Sequence, residues 1–250
     1  MRNWFQYIVL LVVLLITWQY FGSSNNTVKI LISSPTACLQ YFSENKQQLL
    51  GAVAITAFES IIGLIAATGI AFILMGLCFR FPSFYKFILP IVLTTQVIPL
   101  ITLAPFFILW LGIGVSSKIA LAATISFYPV FMNFATGYNA ISSNIFDLLD
   151  IYKAKRSFRI LKVYFPLSLP NIFTGLKVAA TLSVIGAIVA EFSGTDNGLG
   201  KNLLLSSIRI EPELMMLSIF FSALVGGALF GFIFLIERIS GKWYLNSNKY

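Results

Sequence analysis

The sequence predicts an all-α, polytopic membrane protein with six transmembrane helices. Two observations carry this. Of 250 residues, 58% are hydrophobic and only 10% are charged, against about 25% charged in an average soluble domain. The chain also divides into apolar runs near the ~20 residues that cross a hydrocarbon core of ~30 Å.

Taken in order, the first run is Trp4–Tyr20, preceded by Arg2. It has the opening of a signal peptide, but no small-x-small cleavage site follows, so it is expected to stay as an uncleaved helix. The second run is Leu49–Phe79. The third is Phe87–Leu111, within a stretch free of charge from Lys86 to Lys118. The fourth is Ile119–Tyr138, the fifth Asn171–Ala190 and the sixth Leu214–Ile236. Between the first two lies a polar connection in which Pro35–Gln48 suits a short surface helix. The stretches between runs are too short for a soluble domain, so residues 1–250 read as one transmembrane domain.

Lysine and arginine set the orientation. One set of connections holds Arg2, Arg80, Lys86, Lys153, Lys155, Arg156, Arg159, Lys162, Arg238, Lys242 and Lys249; the other holds Lys29, Lys46, Lys118, Lys201 and Arg209. The bias of 11 to 5 puts both termini in the cytoplasm. The net charge of +8 is therefore topogenic, in contact with lipid phosphates, and not a nucleic-acid signature.

Other chemistry is sparse. Histidine is absent, and Cys38 and Cys78 fall on opposite sides of the membrane, so neither a disulfide nor a metal site is expected. No cofactor is implied. Gly198-Leu199-Gly200-Lys201 fails as a phosphate loop, because Thr195 stands where the first glycine belongs and Asn202 where a magnesium-binding hydroxyl belongs. Glu59, an ionisable group at membrane depth, is expected to pair with a neighbour or to face the path; Glu191, at the outer end of the fifth run, is a gate or binding-protein contact or a plain interfacial acid. Gln96, Thr94, Thr95 and Ser183 are polar groups on apolar helices, suited to helix–helix bonding or to lining a pore. Pro99 and Pro105 are placed to bend the third run and free carbonyls. Gly226, Gly227 and Gly231 suit close helix packing, within the chain or with a second copy.

The segment DLLDIYKAKRSFRILKVYFPLSLP (147–170) concentrates five of the 17 basic residues. Ile145, Leu148, Leu149 and Tyr152 form an apolar stripe at helical spacing, with Asp147 and Asp150 off it. A second amphipathic stretch, Ser157–Phe165, follows a basic elbow, and Pro166 and Pro170 suit the change from one helix to the next. By composition the segment is either a positive-inside anchor or a helix that docks in a partner's groove.

This segment resembles the cytoplasmic signature of permease subunits of binding-protein-dependent bacterial ABC importers. That signature is Glu-Ala-Ala, a glycine four residues on, and a Leu-Pro thirteen beyond. Here Asp147, Leu148 and Leu149 stand at Glu-Ala-Ala, Lys153 at the glycine and Phe165-Pro166 at Leu-Pro. The lysine departs from the pattern, since a left-handed turn there would favour glycine. QVIPLITLAPFFILWLGIG (96–114) and GLKVAATLSVIGAIVAEFSGTDNGLGKNLL (175–204) are similar to two further stretches of the family. The subgroup suggested takes up nitrate, sulfonates, taurine or thiamine precursors.

The resemblance implies a type I importer permease of the bacterial inner membrane without an ATP site of its own. Its partners would be an ATP-binding ABC subunit, an extracytoplasmic substrate-binding protein and a second permease copy. A coupling segment at about 144–165 would meet the ATPase through Asp147, Leu148, Leu149, Tyr152, Lys153 and Ala154, with Pro166 closing the motif. The alternative is an ion-coupled carrier or channel. It would call for more intramembrane charge or an inverted repeat. A membrane-embedded enzyme is disfavoured because Glu59, Asp147 and Glu191 lie far apart along the chain.

Overall fold

The computed structural model describes residues 2–24, 32–193 and 197–247. The polar Asn25–Thr27, Lys29 and Thr195 lie outside them. The described residues form helices and turns, without strands. In order they are α1 (Arg2–Ser24), α2 (Pro35–Glu44), α3 (Lys46–Arg80), α4 (Pro82–Thr94), α5 (Leu100–Leu111), α6 (Val115–Asn139), α7 (Ser143–Ile151), α8 (Arg156–Phe158), a π-helical turn (Arg159–Tyr164), α9 (Phe165–Phe192), α10 (Leu199–Arg209) and α11 (Pro212–Ser247).

Among the described residues, five stretches are long and apolar enough to cross a membrane: most of α1, α3, α6, α8 through α9, and α11 to Ser240. The third predicted run is not one helix. It breaks between Thr94 and Leu100 into α4 and α5, of 13 and 12 residues. Pro99 causes the break: it lacks an N–H and pushes Ile98 out of helical geometry. Hydroxyls take up freed carbonyls nearby, Thr94 bonding Pro90 O at 2.8 Å and Thr95 bonding Val92 O at 2.7 Å. Pro105, expected to bend the run as well, sits inside α5 without ending it.

The fifth run also differs. Pro166 does not stop a helix, because α8, the π-turn and α9 run on continuously from Arg156 to Phe192. A proline ring clashes with the carbonyl four residues back. The wider π-turn just before Pro166, with Phe165 N–H bonded to Ile160 O, relieves that clash. The predicted surface helix at Pro35–Gln48 is present but shorter. It is capped by Ser34, whose hydroxyl accepts from Ala37 N–H at 3.3 Å, and α3 begins two residues after it ends.

The centre of the bundle is α6, held between α3 and α9. Small residues bring these three backbones together around Ala122. A Cβ on Gly63 of α3 would lie 2.6 Å from Ala122 Cβ, and one on Gly186 of α9 would lie 2.7 Å from Ala122 Cα. Among the described residues, a Cβ on Gly226, Gly227 or Gly231 would meet nothing within 4 Å, so there these glycines do not serve the close packing their size allows. Toward α7 the core is aromatic. Phe79 meets Phe134 edge-on at 5.5 Å between centroids and lies 4.8 Å from Tyr138 and 5.8 Å from Tyr164. This joins the ends of α3 and α6 to the π-turn. At the opposite end of α3, Leu49 packs with Cys38, Leu214 and Leu217. Cys38 and Cys78 are both free. By contrast α1 exposes most of its apolar side chains, as suits a helix in lipid, and meets the rest through Trp18 Nε1–H donating to Ser33 O at 2.9 Å.

Gly186→Leu is expected to lower the thermal midpoint of the purified protein, because overpacking a close helix contact costs about 1–3 kcal/mol. Gly227→Leu, at an exposed position whose Cβ meets nothing within 4 Å, should leave it unchanged. A melting curve in detergent compares the two.

Candidate functional site: a locked elbow and a buried charge cluster

Two arrangements of polar side chains stand out, one beyond the C-terminal end of α3 and one near its middle. The first is the turn that follows α7. Tyr152 N–H donates to Leu148 O at 3.0 Å, Lys153 N–H to Asp150 O at 3.0 Å and Ala154 N–H to Leu149 O at 3.0 Å. The last two are the paired bonds of a Schellman motif, whose turning residue adopts the left-handed conformation. That residue is Lys153, with φ +48°. The lysine thus takes the backbone shape that a glycine provides freely.

Arginine side chains lock this turn. Arg159 donates through Nε to Ala154 O and through a terminal nitrogen to Leu149 O, both at 2.9 Å, and pairs with the Asp150 carboxylate. Arg156 reaches the other way, to Phe79 O at 2.8 Å and to Arg80 O, the last carbonyls of α3. Counted by sequence as topogenic charge, these two arginines in fact close the ends of two helices. Their roles require backbone carbonyls that no sequence pattern displays.

The turn leaves one side of α7 open. Ile145, Phe146 and Leu149 pack against the aromatic core. Leu148, Ile151 and Tyr152 are 51%, 75% and 77% exposed. Asp147 and Lys153 are exposed beside them, and Pro166 is half-buried in the first turn of α9. The predicted stripe of Ile145, Leu148, Leu149 and Tyr152 therefore divides between two faces. Ile151, which the stripe omits, belongs to the exposed one.

The second arrangement brings together residues that are distant in sequence. Glu59 of α3 accepts from Lys118 Nζ of α6 at 2.8 Å. Glu59 and Glu191 are fully buried and Lys118 is 5% exposed. Glu191 of α9 lies against Glu59. It accepts from Thr56 Oγ1 at 2.6 Å and from Gly200 N–H at 2.6 Å, and Thr56 in turn accepts from Leu199 N–H at 2.9 Å. One lysine balances one carboxylate. The other carboxylate is held by a hydroxyl and by the positive end of α10. The Gly-Leu-Gly turn follows from this: a Cβ on Gly198 would collide with the Glu191 carboxyl, and one on Gly200 would lie 2.8 Å from Glu191 Cβ.

Two expectations are corrected here. Lys118 does not lie in a solvated connection but inside the bundle, in the second half-turn of α6. Glu59 and Glu191, far apart in the chain, adjoin each other. Intramembrane charge is thus present, and it is paired by helix packing. The separation of 59 positions between Glu59 and Lys118 conceals the pairing from sequence.

A cavity of about 580 Å³ lies on the other side of α6, lined by Ala66, Ile70, Thr95, Ser116, Thr124 and Phe127 among others. Of the predicted path residues, Gln96 and Pro99 are exposed at the α4–α5 break beside it. Ser183 is buried and bonds Ala180 O at 2.8 Å, within its own helix. Thr124 and Ser116 were not singled out by sequence; they are ordinary hydroxyls until the break places Thr95 opposite them.

A family model described as binding-protein-dependent transport system inner membrane component matches residues 59–242. The chain belongs to this family. Its relatives include a protein named for aliphatic sulfonates transport in Bacillus subtilis (strain 168), 26% identical over 96% of this chain and 88% of that one. A formylaminopyrimidine transport permease of Halalkalibacterium halodurans is 30% identical over 73% of each chain. Among solved structures, an inward-facing form of the MetNI methionine ABC transporter superposes with a TM-score of 0.63 at 15% identity, over 76% of this chain and 97% of that one. The likeness supports the permease fold. The chain is accordingly a membrane-spanning permease subunit of the ABC importer class, in which a partner subunit hydrolyses ATP.

Removing one member of the buried pair, as in Glu59→Gln or Lys118→Met, should destabilise the protein by about 3–5 kcal/mol, because a charge is left buried without its counterion. The double replacement Glu59→Met with Lys118→Met should recover most of that loss. Thermal midpoints of the three variants test the pair. For the elbow, Lys153→Gly should stabilise by about 1 kcal/mol by relieving the left-handed turn, whereas Lys153→Val should destabilise.

Proposed function

We propose that α7 is the helix through which this permease engages its ATP-hydrolysing partner. The single supporting observation is that Leu148, Ile151 and Tyr152 project from a turn whose geometry is locked from behind. An apolar face of this kind, with Asp147 at its rim, suits a helix-in-groove contact. Lys153 and Ala154 hold the turn that presents it, and Pro166 sits in the first turn of α9, which carries its motion into the bundle.

The excess of basic residues around α7 places it, and both termini, in the cytoplasm. The α4–α5 pair then acts in series as one crossing, completing six. The break between them faces the cavity beside α6, and Thr95, Ser116 and Thr124 give it hydroxyl groups without charge. We assign the translocation path to this cavity, with Gln96 and Pro99 at its edge. Two copies of the chain would close it between them. An external binding protein would deliver the substrate, and the relatives' names point to small organic molecules such as sulfonates or pyrimidines. Glu59 and Glu191 are assigned to holding the helices around the path rather than to meeting the substrate.

Co-purification tests the docking assignment. The tagged permease should retain an ATPase subunit when expressed in its own host. Replacement of Leu148 and Tyr152 by aspartate should weaken that capture at least about tenfold, as loss of exposed apolar anchors does. Retention of full capture by the double variant would move the contact elsewhere.

A further inference from the structure

We propose that Arg156 is a mechanical link that joins the movement of α7 to α3, and that the reach of its guanidinium matters as well as its charge. The inference rests on the assignment of α7 as the ATPase contact.

The chain of contacts is continuous. At the α7 end, Arg159 ties the Leu149 carbonyl of that helix and the Ala154 carbonyl of the turn after it to the start of the π-turn. Three residues earlier Arg156 bonds Phe79 O and Arg80 O through one terminal nitrogen. The last turn of a helix leaves carbonyls without partners. Here they are bridged by a side chain that belongs to the coupling elbow. The backbone connection from α7 to α3 is long and indirect, passing through α6, α5 and α4. The Arg156 bridge is direct.

α3 is placed to use such an input. It has 35 residues, about 52 Å at 1.5 Å per residue, and runs without proline from Lys46 to Arg80. Glu59 and Thr56 lie about 30 Å along the helix from Phe79 by the same rise. There they hold Lys118, Glu191 and the first turn of α10. Ala66 and Ile70, between the two ends, line the cavity assigned to the path. A pull at the α3 terminus therefore reaches the path wall and the buried charge cluster through one rigid element. A lysine would keep the positive charge that orients the protein. Its ammonium lies one bond nearer the backbone than the guanidinium nitrogen that meets both carbonyls, and is a compact point charge on a flexible stem.

Arg156→Lys separates the two roles. The permease complex is prepared with its ATPase partner, Cys38 and Cys78 are replaced by serine, and Thr124→Cys serves as a reporter in the cavity. The readout is its labelling rate by a water-soluble maleimide, with and without ATP and vanadate. With Arg156 present, nucleotide should change the labelling rate by about fivefold or more, the low end of ordinary coupling between sites. Arg156→Lys should leave partner capture and ATP hydrolysis in place while the labelling rate no longer responds. A response equal to that of the parent would overturn the link and leave the arginine as charge alone. If Arg156→Lys fails to accumulate, Arg156→Gln with Ser157→Lys preserves the local charge and is read in the same way. Failure of the parent protein to retain any ATPase would instead refute the assignment of α7, which is a different result from a parent-like Arg156→Lys.

Discussion

The bundle depends on closing helix ends that lipid cannot solvate. Inside a membrane an unpaired backbone group costs several kcal/mol, so every interruption of a helix needs a partner from within the protein. Here those partners come largely from other helices. The start of α10 is held by Glu191 of α9 and Thr56 of α3. At the exposed elbow, on the side assigned to the cytoplasm, the same kind of closure is made by Arg156 at the end of α3 and by Arg159 at the end of α7. At the end of α4 the chain's own threonines turn back on it. Because three of these closures join separate elements, they also fix where the elements sit. Each one does the work of a cap and of a tertiary contact.

This explains why the polar residues gather at two levels. Between them α3, α6 and α9 meet through Gly63, Ala122 and Gly186, where backbone approach leaves no room for a polar side chain. In lipid the hydrophobic effect does not drive helices together, so close van der Waals contact and bonded polar groups must do it. The small-residue contact supplies the first and the charge cluster the second. Glu59 and Lys118 gain each other only when α3 and α6 are already at that distance. The pair therefore acts as a check on correct assembly more than as a source of stability, since desolvation offsets much of its attraction.

Much of the fold was legible in the sequence. Composition, run length and the lysine–arginine bias are sums over many residues, and sums tolerate local error. The turn between α7 and α8 was legible because a basic elbow between two apolar stripes is a local pattern. What sequence reasoning missed depends on single contacts. Arg156 and Arg159 enter a charge count exactly as Lys155 and Lys162 do, yet only the arginines meet carbonyls. Lys118 follows a Gly-x-Gly turn and so resembles a loop residue, until Glu59 is found beside it. Pro99 and Pro105 look alike in an apolar run; one breaks the helix and the other does not. In each case the deciding partner lies tens of residues away or is a backbone atom, and neither leaves a trace at the position itself.

Lys153 shows how such a position can depart from its family's pattern and keep its geometry. A non-glycine residue in the left-handed region costs about 1–2 kcal/mol. A cation at a helix C-terminus recovers about 0.3–1 kcal/mol from the carbonyl end of the dipole. The residual cost is small beside three Arg159 contacts that over-determine the turn, two to carbonyls and one to a carboxylate. Strained backbone persists where its surroundings leave no alternative. The glycine of the pattern and the lysine here are then two answers to one requirement. Glycine adopts the turn without strain, while the lysine tolerates strain because Arg159 holds the turn and its own charge suits the helix end. The lysine answer makes the turn depend on Arg159, so the elbow should be more sensitive to loss of that arginine with Lys153 present than with glycine in its place.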